Sequence, residues 1–157
     1  MMLRVEKLRK KMRENNLDSF LITSPYNLRY LTNFTGTTGL AVITLEKAFF
    51  ITDFRYTEQA AAQAQGFEII KNVGPIFDEV ANLVRKEGLR MLAFEESTVS
   101  FLEYSVLEEI IDAELIPVSE MIEELREVKD EEEIAIIEKA CSIADMAYDL
   151  SLIHISE

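Results

Sequence analysis

At 157 residues, with 48% hydrophobic and 29% charged positions, the chain has the length and composition of one globular domain with room for the start of a second. Its 29 acidic against 16 basic residues give a net charge of −13, which repels phosphate backbones, argues against nucleic acid and suits a cationic partner. There is no apolar run of about 18 residues, the length a membrane helix needs. One cysteine, Cys141, and an amino terminus without a leader-like apolar stretch place the expected home in a reducing cytoplasm.

In chain order, residues 3–16 read as an amphipathic helix with Leu3, Val5, Leu8 and Met12 near one face. Residues 17–23 read as a buried strand stopped by Ser24-Pro25. Pro25 opens a short helix over 26–31, because its missing N–H costs nothing in a first turn. A turn-forming loop, 32–39, leads into two apolar runs, 40–44 and 48–52, joined by Leu45-Glu46-Lys47 as a β-hairpin. The Ala/Gln-rich stretch 54–65 is a helix former, with Asp53 as its N-cap and Arg55 and Tyr56 in its first turn. A strand over 67–71, a helix over 75–87 closed by Gly88, and a strand over 91–95 follow. A helix over 101–111 and a strand over 114–118 come last, and Pro117 marks that strand as a sheet edge. Strands separated by helices, with a single hairpin, predict a three-layer α/β domain on a mixed sheet.

After Val118 the texture changes to a short acidic helix, 119–127, and then a second helix with Asp130 as N-cap and Glu133 at N3. Ile134, Ile137, Cys141, Ala144 and Tyr148 recur along it at spacings of three and four, an apolar stripe that needs a partner surface. Cys141 lies on that stripe and is expected to be buried. The organisation is therefore expected to be a domain over 1–127, a linker and first helix of a truncated second domain over 128–150, and a tail over 151–157. The tail, with its strand-like Leu152-Ile-His-Ile155, is expected to be a non-native appendage.

Little chemistry is visible. The one histidine, His154, lies in that tail, which leaves metal sites and Ser-His or Cys-His catalysis without a base. No glycine-rich phosphate loop occurs. Two segments stand out. Residues 27–36 are expected to expose polar and aromatic groups on a helix and loop leaving the sheet, or else to form a well-capped structural turn with Asn33 or Gly36 at positive φ. In residues 51–56, an arginine near a helix start opposes the helix dipole and points to an ion pair or a carboxylate ligand.

Three runs, 27–36, Asp53-Phe-Arg-Tyr56 and 125–134, taken together resemble the creatinase/prolidase N-terminal domain of Xaa-Pro dipeptidases and aminopeptidases. Asn33 stands where that family often has glycine, and asparagine tolerates the same backbone. The resemblance implies a ribonuclease-H-like α/β domain preceding a "pita-bread" metallopeptidase domain. There, two divalent metals, manganese or cobalt, on two aspartates, a histidine and two glutamates activate a water against the bond before proline. It further implies a homodimer in which this domain borders the partner subunit's active site, with Phe34, Arg55 and Tyr56 as substrate contacts and Arg55 suited to hold a carboxylate. Alone, the chain is expected to be inactive. Two other readings are a two-metal nuclease using Asp53 with Glu95 or Glu96, and a stand-alone interaction module dimerising through the helix over 130–150.

Overall fold

The computed structural model describes the backbone of residues 2–155 and the side chains of residues 3–151. The chain divides into two compact units after Leu125. The first holds α1 (Met2–Glu14), β1 (Ser19–Ile22), α2 (Pro25–Thr32), β2 (Leu40–Thr44), β3 (Ala48–Thr52) and α3 (Thr57–Gln63). It continues through β4 (Glu68–Lys71), α4 (Ile76–Glu87), β5 (Met91–Glu95), α5 (Phe101–Ile110), β6 (Glu114–Val118) and most of α6 (Met121–Glu127). The second holds α7 (Glu131–Ile155).

The six strands order as β4-β3-β2-β1-β5-β6. β2 runs antiparallel to β1 and β3, while β3–β4, β1–β5 and β5–β6 are parallel. Five strands therefore point one way and β2 alone runs against them, so the sheet is mixed, as the single hairpin requires. The crossover from β3 to β4 steps toward one edge and that from β5 to β6 toward the other. Right-handed crossovers must then place α3 and α5 on opposite faces. The packing agrees. Phe20, Ile22, Ala41, Ile43 and Phe50 join Leu8, Leu31, Ala60 and Ile122 in one cluster. Leu21, Val42, Phe49, Ile51 and Leu92 join Val80, Val84 and Leu107 in the other. The alternation 20/21/22 and 49/50/51 between clusters is the period of two of a strand covered on both faces. The three-layer α/β architecture expected from the sequence is the one observed.

β6 is an edge strand, and Pro117 pairs there with Phe94 of β5, where a missing N–H costs little. Gly88 closes α4 at φ 65° and Asn33 closes α2 at φ 58°, the left-handed positions their types tolerate. Three expectations are corrected. The helix expected over 54–65 begins only at Thr57, after a turn over 54–56. Asp53 is not its N-cap: Tyr56 holds that position without a side-chain bond. Asp53 Oδ1 instead accepts the Arg55 amide at 2.9 Å, a local alternative that competes with helix initiation. Residues 152–155 continue α7 rather than forming a strand, the established helix overriding local β propensity. Residues 156–157 lie outside the described ones, as do the side chains of 152–157, His154 included.

In the second unit, α7 begins with the reciprocal cap read from the sequence. Glu133 N–H donates to Asp130 Oδ1 at 2.9 Å, and Asp130 N–H donates to Glu133 Oε2 at 3.0 Å. Every other described side chain of α7 is exposed. Cys141, expected to be buried, is exposed, because a helical stripe is buried only where a facing surface covers it.

Candidate functional site at the carboxyl edge of the sheet

β1, β3, β4, β5 and β6 end on the same edge of the sheet, and both segments singled out in the sequence emerge there. The first exposes Arg29, Asn33 and Thr35 but turns most of its side chains, both aromatic rings included, inward. Asn27, Leu28, Tyr30, Leu31, Thr32 and Phe34 are all buried. Ser24 caps α2 by accepting the Asn27 amide. The Thr32 hydroxyl donates to Leu28 O at 2.6 Å and accepts the Phe34 amide at 3.1 Å. Glu95, buried at the end of β5, accepts the amides of Thr23 and Ser24 at 2.7 Å each through Oε2. Its Oε1 accepts Asn27 Nδ2 at 2.5 Å. A buried carboxylate satisfied by amide donors at a helix amino terminus is a structural staple. Sequence reasoning missed it, having read Glu95 only as a nuclease candidate.

The second segment does reach the surface. Arg55 Nε and Nη2 donate to the Asp53 carboxylate at 3.1 and 2.6 Å, with 59% of the arginine side chain exposed. The guanidinium also lies 5.4 Å from the Tyr56 ring centroid, within cation–π reach. Tyr56 meets Phe34 edge-on at 5.8 Å, and Phe34 meets the buried Phe50 at 4.7 Å. Phe34, Tyr56 and Arg55, named from the sequence, are thus one contiguous stack running from core to surface. Phe34 itself is only 4% exposed, so its contribution is mainly support. It lines, with Thr23, Leu28, Gly36 and Thr37, a small cleft of ≈ 140 Å³. Thr37 Oγ1 and the Tyr56 hydroxyl share a hydrogen bond of 2.9 Å across the loop.

The hydrogen bonds from Arg55 hold the Asp53 carboxyl below the usual carboxylate range, and Asp53 in turn raises Arg55. The guanidinium is therefore permanently charged and oriented, and among the described residues its Nη1 has no bonded partner. This arrangement can receive a carboxylate in fork geometry. Among the described residues no three His, Cys, Asp or Glu side chains are grouped as metal ligands. Asp53 and Glu95 end strands three positions apart in the sheet, about 14 Å at ordinary strand spacing. They do not converge, and Glu96 is exposed. The two-aspartate, one-histidine, two-glutamate set does not fit these residues.

Residues 4–128 match the model of the creatinase/prolidase N-terminal domain. Among curated relatives, the chain is 48% identical over 147 residues to the uncharacterized peptidase YqhT of Bacillus subtilis, covering 93% of this chain and 42% of that protein. Among solved structures, it is similar to an Xaa-Pro dipeptidase from Bacillus anthracis, with TM-score 0.93 and 45% identity over 96% of this chain and 42% of that one. It is also similar to an Xaa-Pro aminopeptidase structure from Streptococcus thermophilus, with TM-score 0.73 and 34% identity over 80% of this chain and 97% of that one. The chain thus spans about two fifths of the length of the curated relative. No described helix is long and apolar enough to cross a membrane. With its motifs, sheet topology and family match in agreement, the chain belongs to the creatinase/prolidase N-terminal domain family.

Proposed function

We propose that this chain is the non-catalytic N-terminal part of a cytoplasmic Xaa-Pro dipeptidase or aminopeptidase, that it contributes to a homodimer, and that it borders the partner subunit's active site, where it restricts access for proline-containing peptides. Residues 1–127 are the domain proper in this reading, and 128–150 are the linker and first helix of the catalytic domain. The divalent metals, manganese or cobalt, belong to the part of the longer relatives that this chain does not match. One observation carries the reading: a charged, pre-oriented Arg55, propped by Tyr56 and Phe34 on the sheet edge, in a family whose named relatives act on Xaa-Pro peptides.

The test is the longer protein carrying Arg55→Ala. Losing a charge-assisted contact to a substrate carboxylate raises KM roughly tenfold or more, with kcat little changed. Unchanged KM and unchanged dipeptide selectivity would remove Arg55 from substrate binding. The 157-residue chain alone, assayed with Mn²⁺ or Co²⁺, hydrolyses no Xaa-Pro dipeptide.

A further inference from the structure

Asn27 is fully buried in the first turn of α2, and its side-chain nitrogen spends both hydrogens on carboxylates from distant elements. Nδ2 donates to Glu95 Oε1 at 2.5 Å and to Glu123 Oε1 at 2.6 Å, 68 and 96 residues away along the chain. Glu95 is immobilised by the Thr23 and Ser24 amides, so one arm of the amide is anchored to the sheet. The other arm holds α6. Other attachments of that helix include Met121, Ile122 and half-buried Leu125 against the core, an ion pair of Glu124 with Lys11, and the Tyr30 hydroxyl donating to Leu125 O at 3.2 Å.

These attachments are not equivalent. Apolar contact is non-directional and leaves a short helix free to slide or roll on its seat. The Lys11–Glu124 pair is solvent-exposed and of the weak class. The bond from Asn27 to Glu123 is directional, made to a charge, and desolvated at its asparagine end, which is the strong class. It also stands between two carboxylates that repel each other at this range, so the amide favours this register of α6 over one that brings them into contact.

We propose that α6 is a strap that docks and undocks as a unit, and that Asn27, through Glu123, is the pin that holds it docked. The pin fixes the place where the polypeptide leaves the sheet domain, since the boundary between the two units falls at Leu125. This assigns the asparagine of the 27–36 segment a positioning role toward the end of the domain, independent of the peptidase reading.

Amide hydrogen exchange on the 157-residue chain tests the pin through Glu123, because replacing Asn27 would also disturb Glu95. In Glu123→Ala, the amides of Glu124, Leu125 and Arg126 exchange at least about tenfold faster, the loss expected for a bond to a charged acceptor. The amides of Leu21 and Leu92 in the sheet keep their rates. Glu123→Gln retains an acceptor for Asn27 and restores protection to within about threefold, whereas Glu124→Ala, losing only an exposed pair, stays within about threefold throughout. Unchanged protection of α6 in Glu123→Ala, or an equal loss in Glu124→Ala, would overturn the pin. Deprotection that spreads equally through β1 and β5 would overturn α6 as a separate strap.

Discussion

The rings of Phe34 and Tyr56 meet edge-on at 5.8 Å and 85°, and this contact joins the core to Arg55, the candidate carboxylate-binding side chain on the sheet edge. Phe34 reaches it from the loop after α2, tilted against Phe50 of β3. Tyr56 reaches it from the turn after β3, with Arg55 stacked on its outer side. Gly36 lies against both rings: a Cβ there would sit 2.3 Å from Phe34 Cζ and 2.9 Å from Tyr56 Cδ1.

Gly36→Ala is therefore an overpacking substitution rather than a turn-breaking one. The Phe34 ring is packed against Phe50 on one side and borders the small cleft on another, so it must shift from its contact with Phe50 or Tyr56 to admit a methyl. A loss of about 1–3 kcal/mol is expected, the usual cost of forcing extra volume into a packed site. Urea unfolding checks it. Phe34→Ala in the Gly36→Ala background distinguishes the cause: once the ring is gone, the added methyl no longer destabilises. An additive loss would show that the backbone, not the ring, sets the constraint.

How much of this was legible beforehand depends on the range of the interaction. The hairpin 40–44/48–52 appeared at its observed bounds, because two apolar runs separated by three residues, two of them charged, leave few alternatives. The left-handed Asn33 and Gly88 and the Asp130–Glu133 cap were readable for the same reason, each being decided within four residues. Asp53 was misread within that same range. Its two-residue spacing to Arg55 was the signal for a local turn, and helix propensity in the following alanines concealed it. The Asn27–Glu95–Glu123 network spans 68 and 96 residues. Nothing local marks an asparagine as the meeting point of two carboxylates that only the fold brings together. The burial of Phe34 escaped notice likewise, since its partners Phe50 and Tyr56 lie on other elements.

The Asp53–Arg55 pair gives a pH signature. Hydrogen bonds from Arg55 hold the Asp53 carboxyl below its ordinary value in the folded state, so folding favours its ionised form. The contribution to stability is fully present above the unfolded carboxyl value of about 4 and is lost as pH falls through the lower folded value. Carbon-13 NMR of the Asp53 carboxyl should show a midpoint below the ordinary range, and Arg55→Ala should move it back up. A midpoint unaffected by Arg55→Ala would mean the pair does not persist in solution.

Glu95→Gln changes the shape of the side chain hardly at all, yet it is expected to destabilise. Both carboxylate oxygens accept: Oε2 from the Thr23 and Ser24 amides, and Oε1 from Asn27. A glutamine must turn its own NH₂ toward one of these donor sets, leaving buried donors facing a donor. Unfolding free energy should fall by about 1–3 kcal/mol, the penalty for a buried unsatisfied polar group. Asn27→Asp cannot rescue it, because it returns two carboxylates to contact at Glu123. Stability equal to the parent in Glu95→Gln would mean that the site holds water-mediated rather than direct bonds.

In the second unit, the cap and the stripe of α7 make separable predictions. Asp130→Ala removes the acceptor for the Glu133 amide and should cost about 1 kcal/mol of local helix stability, the usual value of an N-cap. The loss appears as faster exchange at Glu133, Ile134 and Ala135, while the first unit's sheet amides are unchanged. Cys141, two turns further on, is already exposed. Its thiol should therefore react with an aromatic disulfide in the native chain nearly as fast as in the denatured one, and Asp130→Ala should not accelerate it. Protection of Cys141 by tenfold or more would mean that the stripe Ile134, Ile137, Cys141 is covered in solution. Dilution would then identify the cover: reactivity that rises as the protein is diluted marks a second copy, and concentration-independent protection marks the chain itself.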